Sequence, residues 1–267
     1  MIRIKNLFFL LFSLTILSLV FKSFENKNLN GELNFNDSDI SSTSSDIISN
    51  YHYWNDSFKT NYSGNFRVKT RDYQNSKSYR DNIYAESWRD LYGKISKNDF
   101  YKLEMVYSTL NDINIDQTYY KYMLANLIVS FVQSIPYSLV SQSTCSKLYL
   151  SDNSFREMID NGTECDGDVF AGIYTPAEFI GKFKGDCDTR TLFLYTIFKK
   201  FGYDVIILNS DVYGHSILGL NILSTGRYKS YLGKRYYTWE TTSEGWMLGD
   251  LPPDVSNMSN WYVALPN

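Results

Sequence analysis

The sequence predicts an α+β protein in which a helical first part packs on an antiparallel sheet. Between residues 84 and 200 apolar residues recur mostly at helical spacing. From 204 to 242 the chain shows instead short β-branched and aromatic runs bounded by turn residues. Helices first and strands after, with no internal repeat, describe a single core shared by both. With 267 residues, 43% apolar and 17% aromatic, the chain has enough to build that core and carry extra segments.

Residues 1–21 open with Arg3 and Lys5 and continue as an apolar run of about 15 residues, short of the ~20 that span a bilayer. No small-x-small cleavage site follows, because Val20-Phe21-Lys22 is bulky. The segment reads equally as a signal peptide or as an uncleaved membrane anchor, and either sends the remainder out of the cytoplasm. Residues 22–65 are rich in Asn, Ser and Asp and are expected to form a flexible polar tether. The folded domain is expected over 66–267.

Within it, Trp88, Leu91, Tyr92 and Ile95, then Phe100, Leu103, Val106 and Leu110, predict two helices separated at Ser96-Lys97-Asn98-Asp99, with Ser96 or Asn98 capping the second. A third helix is expected over 119–132, stopped before Pro136. Thr175-Pro176 opens a short helix through Phe179. Gly185-Asp186 reads as a turn and N-cap for the next, which ends at a glycine C-cap in Phe201-Gly202-Tyr203. Strands are expected at 204–208, 215–222 and 235–242.

A net charge of −3, with no Lys/Arg stripe interleaved with aromatics, excludes nucleic-acid binding. No CxxC or HxxxH spacing supports a zinc site, no dense acidic loop supports calcium, and no cofactor is implied. Cys145, Cys165 and Cys187 are the three cysteines. In an exported chain an odd number implies one disulfide and one free thiol. Cys145 and Cys165 flank a polar loop and neither sits in a nucleophile's surroundings, so they are expected to pair and leave Cys187 free.

Cys187 falls in the first turn of a helix, where unpaired N–H groups and the helix dipole favour thiolate over thiol. A small core cysteine after a turn is the plainer alternative. A cysteine nucleophile needs a base, and the base a group to orient it. Of the two histidines, His52 lies in the expected tether, which leaves His215, at the start of a strand after Gly214. Glu240 is a charge inside an aromatic strand, costly unless paired, and the His215 imidazolium is its natural partner. A structural histidine and a solvent-facing glutamate are the corresponding alternatives.

Taken together, Gly185-Asp186-Cys187-Asp188, Gly214-His215-Ser216 and Trp239-Glu240-Thr241-Thr242 resemble the transglutaminase-like superfamily, relatives of papain-type cysteine peptidases, in the order Cys, His, acid. The stretch from Ile128 through Gln133 to Tyr137 is similar to a helix preceding the catalytic loop in bacterial members. The likeness covers roughly 84–262. It departs from the family in having Glu240 where many members have Asp, and in its helical part upstream. The resemblance implies a papain-like core and a Cys187–His215–Glu240 triad. Its thiolate–imidazolium pair would attack a carbonyl to give an acyl-enzyme, which water or an amine resolves. It further implies an oxyanion held by the Cys187 N–H and a side-chain donor, for which Gln133 is the candidate. The partner is then a protein or peptide amide, with the membrane engaged only through the N-terminal segment. A catalytically idle fold serving as an envelope binding module is the alternative.

Overall fold

The computed structural model describes residues 46–117 and 120–267. Its first element is an antiparallel hairpin of β1 (Ile47–Asn55) and β2 (Asn61–Lys69), in register from Ile47 opposite Lys69 to Asn55 opposite Asn61. The turn is built on Asp56, whose carboxylate accepts from the Phe58 and Thr60 N–H groups, both at 2.9 Å. Trp54, Tyr62, Phe66 and Val68 are buried, and the Phe66 ring stacks on Phe131 at 3.8 Å. The expected tether is thereby corrected: residues 46–65 belong to the domain. Alternating strands need an apolar residue only at every second position, so averaging over an Asn/Ser-rich stretch hides them. Residues 1–21, where the signal or anchor is expected, lie outside the described residues, as does 22–45 of the tether. Among the described residues no helix is long and apolar enough to cross a membrane.

The chain runs from β2 directly into α1 (Thr70–Asn82), then α2 (Trp88–Asp99), α3 (Glu104–Gln117) and α4 (Lys121–Ser134). The buried residues of α1 are Ser76 and Arg80, which explains why no apolar period announces it. Arg80 donates two bonds to the Glu178 carboxylate, at 2.9 and 2.8 Å, in the buried interior. The break between α2 and α3 falls at residues 100–103, later than expected. Ser96 stays helical because its buried hydroxyl accepts from Thr196, 2.9 Å away, on a helix packed against it.

After α4 the short strand β3 (Ser138–Val140) pairs in parallel with β4 (Glu164–Asp166). Between them lie α5 (Cys145–Ser151) and α6 (Asn153–Asp160), neither with a buried residue. Cys145 and Cys165 form the expected disulfide, with Cα atoms 6.0 Å apart, and Cys187 is the free cysteine. Next come α7 (Pro176–Lys182), opened by a Thr175/Glu178 capping box, and α8 (Cys187–Lys200), buried along most of its length.

The main sheet has the order β7-β8-β6-β5-β9 and is antiparallel throughout, with β5 (Val205–Ser210), β6 (His215–Leu220), β7 (Tyr228–Tyr231), β8 (Lys234–Trp239) and β9 (Tyr262–Leu265). One face presents Val205, Ile207, Leu218 and Leu220 to the core that contains α8. The other presents Ile206, Leu208, Ile217 and Tyr236 to Leu251, Val255 and Trp261 of the C-terminal segment. The architecture is α+β, with the helices packed on an antiparallel sheet.

Candidate active site

Three chain segments meet at the N-terminus of α8. Asp186 caps the helix, its carboxylate accepting from the Thr189 N–H at 3.0 Å, so Cys187 is the first helical residue. Gly185 has no room for a side chain, since a Cβ there would come within 2.8 Å of Thr189. His215 is the first residue of β6, reached through Gly214, whose φ of 56° is the left-handed conformation that ends the turn. The glycine is explained by that turn. Glu240 follows the last residue of β8, just beyond the strand that was expected to contain it.

The His215 Nε2 and a Glu240 carboxylate oxygen are 2.8 Å apart. The other carboxylate oxygen accepts from the Thr241 N–H, the Thr242 N–H and the Thr242 hydroxyl, at 2.8, 2.9 and 2.7 Å. Burial alone would favour the protonated acid, but His215 and the Thr242 donors outweigh it and hold Glu240 at about 2. An ionised Glu240 makes Nε2 the protonated nitrogen of the ring and turns Nδ1 away from the carboxylate. The imidazole stands edge-on to Trp261, with ring centroids 5.9 Å apart.

Cys187 is only 7% exposed and His215 8%. The Ser216 N–H, one residue along β6 from His215, faces the Cys187 sulfur and favours its ionised form. Burial works against ionisation, and Asp188 and Asp186 add to it, so the thiol is pushed well above its ordinary range. This runs against the expectation drawn from the helix dipole, because burial first, and then the two carboxyl groups beside the sulfur, oppose the ionisation that a helix end favours. Asp186 itself is raised to about 8 by burial and by Asp188. Asp188 is also raised, by burial, although the Tyr92 hydroxyl donates to it at 2.5 Å. Burial disfavours a charged His215, but Glu240, then Asp188 and Asp186, reverse this and leave its pKa above the usual value.

Gln133 does not occupy the role expected of it. Its side-chain N–H₂ donates to the Glu240 carbonyl at 2.7 Å and to the Trp246 carbonyl at 3.1 Å. Two carbonyl acceptors fix the orientation of the amide and use both of its protons, so it ties α4 to the segment carrying Glu240. His52 is likewise a packing residue, 2.7 Å from the Ser134 hydroxyl and edge-on to Phe183.

Arg190 is the residue that sequence reasoning missed. It is fully buried and forms no ion pair with a carboxylate among the described residues. Its guanidinium donates to four backbone carbonyls: Gly185 at 2.9 Å, Val132 at 2.8 Å, Thr241 at 3.2 Å and Ile135 at 2.6 Å. One side chain thus fastens the turn before Cys187, the end of α4 and the residue after Glu240. An arginine one turn into a buried helix was the available signal, since such a charge must find several acceptors inside. Tyr92 was legible only as an apolar position, yet its hydroxyl links Asp188 to the Asn209 amide of β5, 2.9 Å away.

Among the described residues no group of three or more His, Cys, Asp and Glu is placed to hold a metal ion. A scan against protein-family models finds no match, and searches of curated proteins and of solved structures find none.

Proposed function

We propose that the protein is an exported, cysteine-dependent acyl-transfer enzyme of the transglutaminase-like kind, acting on protein or peptide amides. The observation that carries this reading is the His215–Glu240 pair at 2.8 Å beside a helix that begins with Cys187. A carboxylate so fully bonded has no need of a histidine for its own stability. What it does is set the ring's tautomer and orientation.

The Cys187 proton passes to His215 Nδ1 as the sulfur bonds to the substrate carbonyl carbon and the carbonyl electrons move onto oxygen. The intermediate collapses, the C–N bond breaks, and the His215 imidazolium gives its proton to the leaving amine. A thioester remains. Water, deprotonated by His215, then attacks it and the thiolate leaves and is reprotonated; an amine in place of water gives transamidation. Because burial and the aspartates keep the proton on sulfur at rest, transfer to His215 accompanies attack. The disulfide agrees with an oxidising compartment outside the cytoplasm, and the N-terminal segment supplies the membrane tether or export signal.

The test is a burst experiment on the full chain with p-nitrophenyl acetate. One equivalent of phenolate per chain, lost in Cys187→Ser and strongly slowed in His215→Ala, is the expected result. The absence of a burst, with iodoacetamide alkylating Cys187 at the same rate in the unsubstituted chain and in His215→Ala, would overturn it. The idle binding module would then be the better account, a reading favoured by how little of Cys187 is exposed.

A further inference from the structure

With Gln133 committed elsewhere, the acyl-transfer reading lacks a side-chain donor for the oxyanion. We propose that the Tyr137 hydroxyl is that donor, acting together with the Cys187 backbone N–H. The proposal rests on the acyl-transfer reading and adds a catalytic residue to it.

Tyr137 follows Ile135-Pro136 at the end of α4, and its backbone bridges in parallel to Gly185, two residues before Cys187. That bridge sets the Tyr137 backbone beside the turn that leads into α8. The Arg190 guanidinium lies 5.5 Å from the ring centroid and is itself pinned by four carbonyls, so the ring rests against a fixed wall.

The Tyr137 hydroxyl is left uncommitted, unlike those of four buried tyrosines. Tyr92, Tyr107, Tyr195 and Tyr203 donate to Asp188, the Phe100 carbonyl, the Pro266 carbonyl and the Lys121 carbonyl. Half-buried Tyr137 has no hydrogen-bond acceptor among the described residues. A phenol at a partly exposed position with no protein acceptor is available to a bound molecule. Its proton is retained: burial, then the Cys187 and Asp186 charges, push its pKa well above the usual value. It therefore remains a donor throughout the neutral range. The second donor comes from the helix, since the N–H of a first helical residue has no acceptor within the helix. Negative charge developing on the oxygen of a substrate carbonyl whose carbon is bonded to the Cys187 sulfur would meet both donors at once.

Two reagents separate this role from packing. Acylation by p-nitrophenyl acetate passes through an oxyanion, whereas alkylation by iodoacetamide displaces iodide at a saturated carbon and forms none. In the full chain, Tyr137→Phe keeps the ring against Arg190 and removes only the hydroxyl. Acylation of Cys187 should slow by about 10²-fold, as on loss of one oxyanion donor, while alkylation stays within about twofold of the unsubstituted chain. Unchanged acylation would overturn the proposal and leave the acyl-transfer reading intact. Equal slowing with both reagents would also overturn it, since the hydroxyl would then serve packing. Absence of acylation in the unsubstituted chain would overturn the acyl-transfer reading and this donor with it.

Discussion

Around Cys187, and in the excursion between β3 and β4, the chain holds short segments in place by opposite means. At the first turn of α8 the polar side chains Arg190, Glu240 and Gln133 are buried and nearly every donor and acceptor they carry is used. In the excursion, α5 and α6 bury nothing, and the crosslink is covalent, assisted by Lys184 bridging Glu164 and Asp166 at the rim. A buried hydrogen-bond network fixes angles as well as positions, because its bonds weaken when misaligned. A disulfide limits how far two points can separate and leaves the segment between them free to adjust. The candidate site is built from the first kind of restraint, as a constellation of reacting groups requires.

The largest expected effect falls on Glu240. In Glu240→Gln the amide oxygen must face the Thr241 and Thr242 donors, which turns the amide N–H₂ toward His215 Nε2 and forces the proton onto Nδ1. Acyl transfer should fall by about 10⁴-fold, as when a triad carboxylate is replaced by its amide, with the fold retained. A loss under tenfold in burst rate would show that the pair does not orient the base. The same variant carries a pH signature. Glu240 is depressed to about 2 from its ordinary value, so its ionisation stabilises the fold above that ordinary value, and the contribution is lost as pH falls toward about 2. Urea midpoints measured from pH 6 to 3 should therefore drop less steeply in Glu240→Gln.

Next in size is Arg190→Lys. An ammonium has three donors on a flexible stem and cannot span four carbonyls, so buried acceptors are stranded. A loss of about 3–5 kcal/mol in urea unfolding is expected; retention of full stability would break the contrast at its centre. On the other side of the comparison, replacing both Cys145 and Cys165 by serine should cost about 3 kcal/mol for a loop of this length. The loss should appear first as proteolysis within 145–165, with the rate of Cys187 alkylation unchanged. If alkylation changes in parallel, the two regions are one mechanical unit.

The smallest effect sharpens the picture of the thiol. Asp186 is raised to about 8, so its protonated form is the stabilising one. That contribution is complete below the ordinary carboxyl range and is lost as pH rises toward 8. Asp186→Asn keeps the cap and removes the charge, and should gain about 1 kcal/mol near pH 8 and less at pH 5. It should also lower the Cys187 pKa, read as faster alkylation at neutral pH. An unchanged alkylation profile would show that burial alone sets the thiol.

Much of this was legible in the chain, for local reasons. Asp186 as cap, Cys187 as first helical residue and the glycine at 202 follow from short-range rules, and the structure agrees. The Glu240–His215 pair was legible because a carboxylate in an aromatic strand demands a cation. Gln133 was misread because its acceptors, the Glu240 and Trp246 carbonyls, lie more than 100 residues away in sequence, and no spacing announces such a bond. The hairpin before residue 66 was missed because polar outward positions dominate its composition. Asp188 and Asp186 were visible, yet their effect on the thiol depends on burial, which sequence does not give.

The three cysteines also bear on how the chain is oxidised as it folds. Cys165 has two potential partners at nearly equal distance along the chain, so loop entropy does not choose between Cys145 and Cys187. What chooses is the order of events. Once α8 has packed, Cys187 is enclosed beneath the sheet and only Cys145 can reach the exposed rim. Oxidation before that point would form either pair, and the wrong one would take the free thiol with it. The burial that makes Cys187 a reluctant acid is thus also what keeps it from being used up as a crosslink.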